Sequence, residues 1–267
     1  MEFLKLTSNQ NVLRVSLNRP EKRNAFHPGM IKELTQTFAK TLKEKELRAV
    51  VLTGEGTSFC SGGDLEWMKD MAKYSAAKNL KDASELFKMY WTIRSCPVPV
   101  IGRMFGHCFG GGAGLTAVCD IVAAEDKTLF SFSEVKWGLA PAVISPFVIE
   151  RAQPAMIREW FVTAKIFNAQ EALHGGLINR AGTIADIDLY LEETIKMILN
   201  AAPDAVRATK KLHQSYSTIN WKKVEPQVVQ LIAERRTSEE GQLGLSSFLN
   251  KQPSPWAPSP YGKSEKI

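Results

Sequence analysis

Three consecutive glycines, Gly110 to Gly112, stand between a strand-like stretch, VPVIGRM, and an apolar, helix-compatible run, GLTAVCD. Glycine admits positive φ and lets the backbone approach a ligand closely. A helix N-terminus presents N–H groups with no partner inside the helix and with partial positive charge. A second glycine turn, SFCSGGDL (Ser58 to Leu65), follows the apolar run AVVLTG (Ala49 to Gly54). Two such turns suggest one backbone N–H from each, converging on a single oxyanion. Loss of one donor of that kind costs roughly 3 kcal/mol of transition-state stabilisation. Each turn alone also reads as a tight strand-to-helix connection whose glycines serve only φ.

The nucleotide loop GxxxxGK[ST] is missing, and GGGAG does not fit GxGxxG. GxSxG and HExxH are missing as well. A charge held between these turns is therefore expected on a carbonyl oxygen rather than a phosphate. Glu134, in FSFSEVKWGLAPAVISP, has apolar and aromatic neighbours that would desolvate its carboxyl and raise its pKa, as a general acid/base requires. The competing reading is a surface glutamate at a strand end. His107 adjoins the glycine triplet and could pair with Cys108 or Cys60 as base and thiol, but sequence neighbours rarely form such pairs. His27, His174 and His213 have no ligand-spaced partner and receive no site, and no metal site is expected. Asp64 and Asp120 read as caps or turn anchors. Lys22 and Arg23 either meet a phosphate-bearing ligand or are simply solvated.

Alternating strand and helix patterns are needed to position these groups. Leu13, Val15 and Leu17 alternate with polar residues, as in a half-buried strand. From Met30 onward, Ile31, Leu34, Phe38 and Leu42 repeat at helical spacing, with Pro28 near the start. Glu66 to Ser95 reads as helical but irregular. The strand, glycine turn, helix and strand pattern then recurs through VPVIGRM, LTAVCD and DIVAAED, with a third pass through LFSFSEV and a helix around Ser145 to Ala152. The alternation predicts an α/β core over residues 1–198. Residues 199–267 form a helical C-terminal region, with helices over Pro203 to Ser217 and Val224 to Asn250 and a Pro- and Ser-rich tail after Pro253 that is expected to be weakly ordered. Such a region is expected to serve subunit packing.

At 267 residues and 44% apolar composition, the chain can bury one large core. Its formal net charge of +6 is dispersed among acidic residues, so no nucleic-acid stripe is expected. Cys60, Cys96, Cys108 and Cys119 show neither CxxC nor metal spacing and read as reduced and structural. Neither a leader pattern nor an apolar run approaching 18 residues is present, which predicts a cytoplasmic protein without membrane association.

Taken in order, LNRPEKRNAF, VVLTGEGTSFCSGGDL, VIGRMFGHCFGGGAGLTAVCDIVAAED, FSFSEVKWGLAPAVISP, FVTAKIFNAQEALHGGLINR and SEEGQLGLSSFLNKQPSPW resemble the enoyl-CoA hydratase/isomerase family, the crotonase superfamily. The resemblance spans nearly the whole chain. It implies a spiral of repeated β-β-α units with a C-terminal helical appendage, assembled as a homotrimer or hexamer. It also implies an acyl-CoA thioester substrate and no separate cofactor, coenzyme A being part of the substrate. Carried over by position, the oxyanion donors are the amides of Gly63 and Gly111. Glu134 is the acid/base. Gly63, Asp64, Leu65 and Glu66 would lie along the thioester and pantetheine arm, and Lys22, Arg23, Asn24 and Ala25 near the CoA phosphates. Trp67, Met71, Tyr74 and Trp137 are candidates for the acyl pocket.

Hydratases of the family commonly carry a second glutamate, and the matching position here is Gly114. One carboxyl suffices for a Δ3-to-Δ2 enoyl-CoA isomerase. The local wording is nevertheless similar to a bacterial branch of methylglutaconyl-CoA hydratases of leucine breakdown. The expectation is a hydratase acting on a 2-enoyl-CoA, with the isomerase as alternative and a non-catalytic acyl-CoA- or RNA-binding scaffold third.

Overall fold

The computed structural model describes residues 1–215, 218–253 and 255–256. An antiparallel hairpin, β1 (Leu4–Asn9) and β2 (Val12–Leu17), opens the chain, followed by a 3-10 turn at Pro20–Lys22 and α1 (Pro28–Thr41). Pro28 occupies the first helical position, where its missing N–H is not needed. Met30, Ile31, Leu34 and Phe38 are buried, as their spacing predicts. The chain continues through β3 (Ala49–Gly54), α2 (Leu65–Met71), α3 (Ala76–Arg94), β4 (Val100–Met104), β5 (His107–Phe109), α4 (Gly111–Val118), β6 (Ile121–Glu125) and β7 (Leu129–Ser131). A second 3-10 turn, Ser133–Trp137, is followed by α5 (Ser145–Arg151), α6 (Pro154–Thr163), β8 (Phe167–Asn168), α7 (Ala169–His174) and β9 (Arg180–Gly182). The helices α8 (Ile184–Asn200), α9 (Pro203–Ser215), α10 (Trp221–Thr237) and α11 (Glu239–Leu249) complete the described elements.

Six strands form one sheet in the order β1-β2-β3-β4-β6-β9, parallel from β2 onward, and β5, β7 and β8 form a second sheet. Each of β4-β5 and β6-β7 places a strand in the large sheet and then a short one in the small sheet before the chain turns helical. The α/β spiral of β-β-α units is thus present. β3 is buried along almost its whole length, as expected of a parallel strand covered on both faces. In β2 the alternation gives way at its end, where Ser16 is buried along with Val15 and Leu17.

The irregular Glu66 to Ser95 stretch resolves into α2 and α3, the second capped by Ser75, whose hydroxyl accepts the Lys78 amide. The predicted helix over 224–250 is two helices, broken at Ser238, whose extended backbone caps α11. The tail expected after Pro253 and the end of the helix predicted to Ser217 lie outside the described residues. Two arginines secure the passage from core to C-terminal helices. Arg48 Nη2 donates to the carbonyls of Ile198, Leu199 and Ala201, and Arg207 Nη2 to those of Glu44, Lys45 and Leu47. α10 packs along α3, and α11 on α2 and the second 3-10 turn.

Candidate active site

The glycine triplet works as its composition requires. Gly110 caps α4 with φ +49°, a left-handed conformation that strains any residue with a Cβ, and its amide donates to Ser131 O at 2.8 Å. Gly111 is then the first residue of α4, and its N–H points out of the helix ladder. On the other loop, Phe26 N donates to Gly62 O and Asp64 N to Phe26 O, leaving the Gly63 amide between them. Among the described residues, neither the Gly63 nor the Gly111 amide donates to a protein acceptor. Both glycines line one cavity, together with Glu134.

Glu134 sits in the Ser133–Trp137 turn. Its Oε2 is buried without a hydrogen-bond partner, and burial raises its pKa from 4.5 to about 7. A Cβ at Gly110 would lie 3.3 Å from Glu134 Oε1, so the carboxyl rests against the glycine triplet. Gly114 marks the opposite situation. A Cβ there would stand 2.5 Å from Ile144 Cγ2 and 3.1 Å from Tyr90 Cε1, so apolar groups fill the space a second carboxylate would need. Tyr90 is fully buried, burial pushes its pKa well above 10, and its hydroxyl donates to Gly111 O at 2.9 Å.

The remaining predicted residues divide clearly. Asp64 is 3% exposed and caps α2, accepting from the Glu66 and Trp67 amides. Its Oδ2 accepts from Arg19 Nη2 at 3.0 Å, and Arg19 Nη1 donates to Ala25 O, so one arginine joins the two loops that flank Gly63. Burial raises the Asp64 pKa, but the Arg19 guanidinium and the two amides outweigh it and hold the carboxyl below its ordinary value. Asn24 is fully buried, and its side chain bonds Arg19 N, Glu55 O and Ser58 O, so it braces the loop instead of offering its amide to a ligand. Ala25 is buried, whereas Lys22, Arg23, Leu65 and Glu66 are exposed beside the cavity and do not line it. Trp67, Met71 and Trp137 line it; Tyr74 does not, and its ring carries Lys78 Nζ at 3.6 Å. Asp120 anchors β4, accepting from Val100 N and Lys210 Nζ.

The thiol alternative loses its physical basis. All four cysteines are free and buried, and burial raises every thiol pKa, those of Cys60 and Cys119 to about 12. His107 Nδ1 is bonded to Ser58 Oγ at 3.1 Å. Among the described residues no cluster of three potential metal ligands occurs, and no helix is long and apolar enough to cross a membrane. The sequence reading missed Arg19, Tyr90, Ile144 and Arg236. The first stands inside LNRPEKRNAF and could have been found as a loop cation facing Asp64; the other three carry no local signal.

Two free amides opposite a desolvated carboxyl define an enzyme site of the kind that holds a carbonyl oxygen while a proton moves on the neighbouring carbons. The family model for enoyl-CoA hydratase/isomerase matches residues 7–259, and the chain belongs to that family. It is 31% identical to an enoyl-CoA hydratase of Alternaria alternata over 88% of this chain and 78% of the other. It is 35% identical to the mitochondrial Delta(3,5)-Delta(2,4)-dienoyl-CoA isomerase of Mus musculus, over 78% and 68%. The crystal structure of an enoyl-CoA hydratase from Shewanella pealeana superposes with a TM-score of 0.78 at 34% identity, covering 95% of this chain and 96% of that one. The spiral is thus the crotonase-like fold, with a helical C-terminal region.

Proposed function

We propose that the protein hydrates the double bond of a 2-enoyl-CoA, and that its substrate is a short branched acyl chain of the methylglutaconyl type. The observation that carries the reading is the buried Glu134 carboxyl, its Oε2 without a partner and its pKa about 7, in one cavity with the undonated amides of Gly63 and Gly111. The two amides receive the thioester oxygen as negative charge develops on it, which makes C3 electrophilic and C2 basic. Ionised Glu134 takes a proton from water as its oxygen bonds to C3, and delivers that proton to C2. One carboxyl therefore completes the addition, and near neutral pH both of its protonation states are populated. The exposed cations Lys22 and Arg23, outside the cavity lining, are the groups proposed to meet the CoA phosphates. The handle then supplies binding energy remote from the reacting carbons.

The filled space at Gly114 favours a second reading. With no second carboxylate to hold water, the same Glu134 could move a proton from C2 to C4 and act as an isomerase. Incubation with crotonyl-CoA, 3-methylglutaconyl-CoA and a 3-enoyl-CoA separates the two. Loss of conjugated-thioester absorbance from the first two supports hydration, and a gain from the third supports isomerisation. Glu134→Gln is expected to lower kcat by about 10²–10⁴-fold on whichever substrate turns over. Unchanged turnover would remove Glu134 from the mechanism and favour a binding scaffold.

A further inference from the structure

α10 brings a cation to the cavity wall. Arg236, in its last turn, is 4% exposed and lines the cavity with Trp67, Met71, Leu86, Ile232 and Phe248. Glu134 is the one other charged side chain in that lining. Arg236 Nη1 donates to Asp82 Oδ2 at 2.8 Å, while Asp82 Oδ1 accepts from Trp67 Nε1 at 3.2 Å. Asp82 thus divides itself between two donors and engages the guanidinium through a single bond. Among the described residues the Nη1 bond is the one hydrogen bond of the Arg236 side chain, and Nε and Nη2 do not count among the buried polar atoms without a partner, so both face the cavity's solvent.

A guanidinium that is 4% exposed in an apolar wall, with two nitrogens answered only by cavity solvent, favours a ligand that supplies acceptors there when the cavity fills. Its planar fork suits a carboxylate, which takes two parallel N–H bonds. A clamp meant only to fix α10 on α3 would do better with both Asp82 oxygens on the arginine.

We propose that Arg236 determines acyl-chain specificity by receiving a carboxylate carried on the acyl group, so that the preferred substrates are enoyl thioesters of dicarboxylic acids. This rests on the enoyl-CoA reading of Glu134. Asp82 orients the guanidinium and leaves its second edge to the ligand.

The test compares kcat/KM for 3-methylglutaconyl-CoA and crotonyl-CoA, which differ at the acyl end but share the Glu134 step. The wild type prefers the carboxylated chain. Arg236→Met lowers the ratio of the two kcat/KM values by at least about 30-fold, the scale of losing one partner of a buried charge pair. Arg236→Lys restores part of it. Asp82→Asn keeps the ratio at or above the wild-type value, because its amide oxygen can still accept from Arg236 while the competing negative charge is gone. A purely structural Arg236 would instead depress both substrates equally and lower Tm in step, and that outcome, or a wild type without preference, overturns the inference. If neither thioester is turned over, hydration fails separately. Calorimetric Kd values for the same two thioesters on wild type and Arg236→Met then decide the inference: a preference for the carboxylated ligand that the variant loses supports it, and equal affinities overturn it.

Discussion

Glu134 shows how one residue ties chemistry to stability. Its folded pKa of about 7 exceeds the ordinary 4.5, so its protonated form favours folding. That contribution is fully present below pH 4.5 and is lost as pH rises through 7. The difference corresponds to about 3 kcal/mol. Glu134→Gln should therefore be more resistant to denaturant than wild type at pH 8, with the gap closing toward pH 5; equal midpoints at pH 8 would contradict a desolvated carboxyl. Gly114→Glu should not create a two-carboxylate hydratase, because its Cβ would enter the Ile144 methyl at 2.5 Å. A loss of about 1–3 kcal/mol in denaturation is expected from overpacking, with no gain in kcat. Replacing Ile144 by Ala in the same chain should recover stability. Gly63, Gly111 and Glu134 were legible in the sequence because their signals are local: glycines at a strand end and a carboxyl among apolar neighbours. Arg236 was not, since in LIAERRTSEE nothing distinguishes it from Arg235, and only the packing of α10 on α3 buries one and leaves the other near solvent.

Among the elements, the flanks of Gly63 depend on one ion pair. Arg19 joins the loop after β2 to the N-terminus of α2 through Asp64, and both partners are largely buried, with side-chain exposures of 13% and 3%. Breaking such a pair on one side costs about 3–5 kcal/mol when the other charge stays buried. Arg19→Met should lower stability by several kcal/mol and reduce kcat more than KM, because the misplaced Gly63 amide acts mainly on the transition state. Steady-state kinetics beside a urea titration would check both. α1 could be read in advance because its apolar residues recur at helical spacing, and β3, β4 and β6 because each is a short apolar run beside a turn signal. β7 falls within LFSFSEV, where a strand pass was expected, whereas β5 and β8 have three and two residues, too few to show a period, and their pairing comes from the spiral itself. The break between α10 and α11 was hidden for another reason: Ser238 caps well but is also tolerated inside a helix.

At the scale of the molecule, the C-terminal helices roof the cavity that holds Glu134. Phe248 packs on Trp137 with ring centroids 4.5 Å apart, and Ile232 and Arg236 reach the same lining. α11 sits so close to the turn bearing Glu134 that a Cβ at Gly244 would lie 2.3 Å from Trp137 O, and one at Gly138 2.5 Å from Glu240 O. Phe248→Ala should raise KM for short acyl thioesters several-fold and shift the Trp137 emission to the red, with the far-UV circular dichroism of the spiral intact. An unchanged emission would mean that the contact does not shield Trp137. The charge pattern of residues 199–250 had revealed helices but not where they dock, because amphipathic helices rich in Lys, Arg and Glu fit a subunit neighbour and the chain's own core equally well.

That seating of α11 on the Glu134 turn has a consequence for how the protein comes into being. Both glycine loops and Glu134 are translated by the middle of the chain, yet α11, which completes the cavity lining with Phe248, begins more than a hundred residues after Glu134. The lining of the cavity is therefore complete only after α10 and α11 have been made. On the proposed enoyl-CoA reading, reactivity toward acyl-CoA would then report whether synthesis had reached α11.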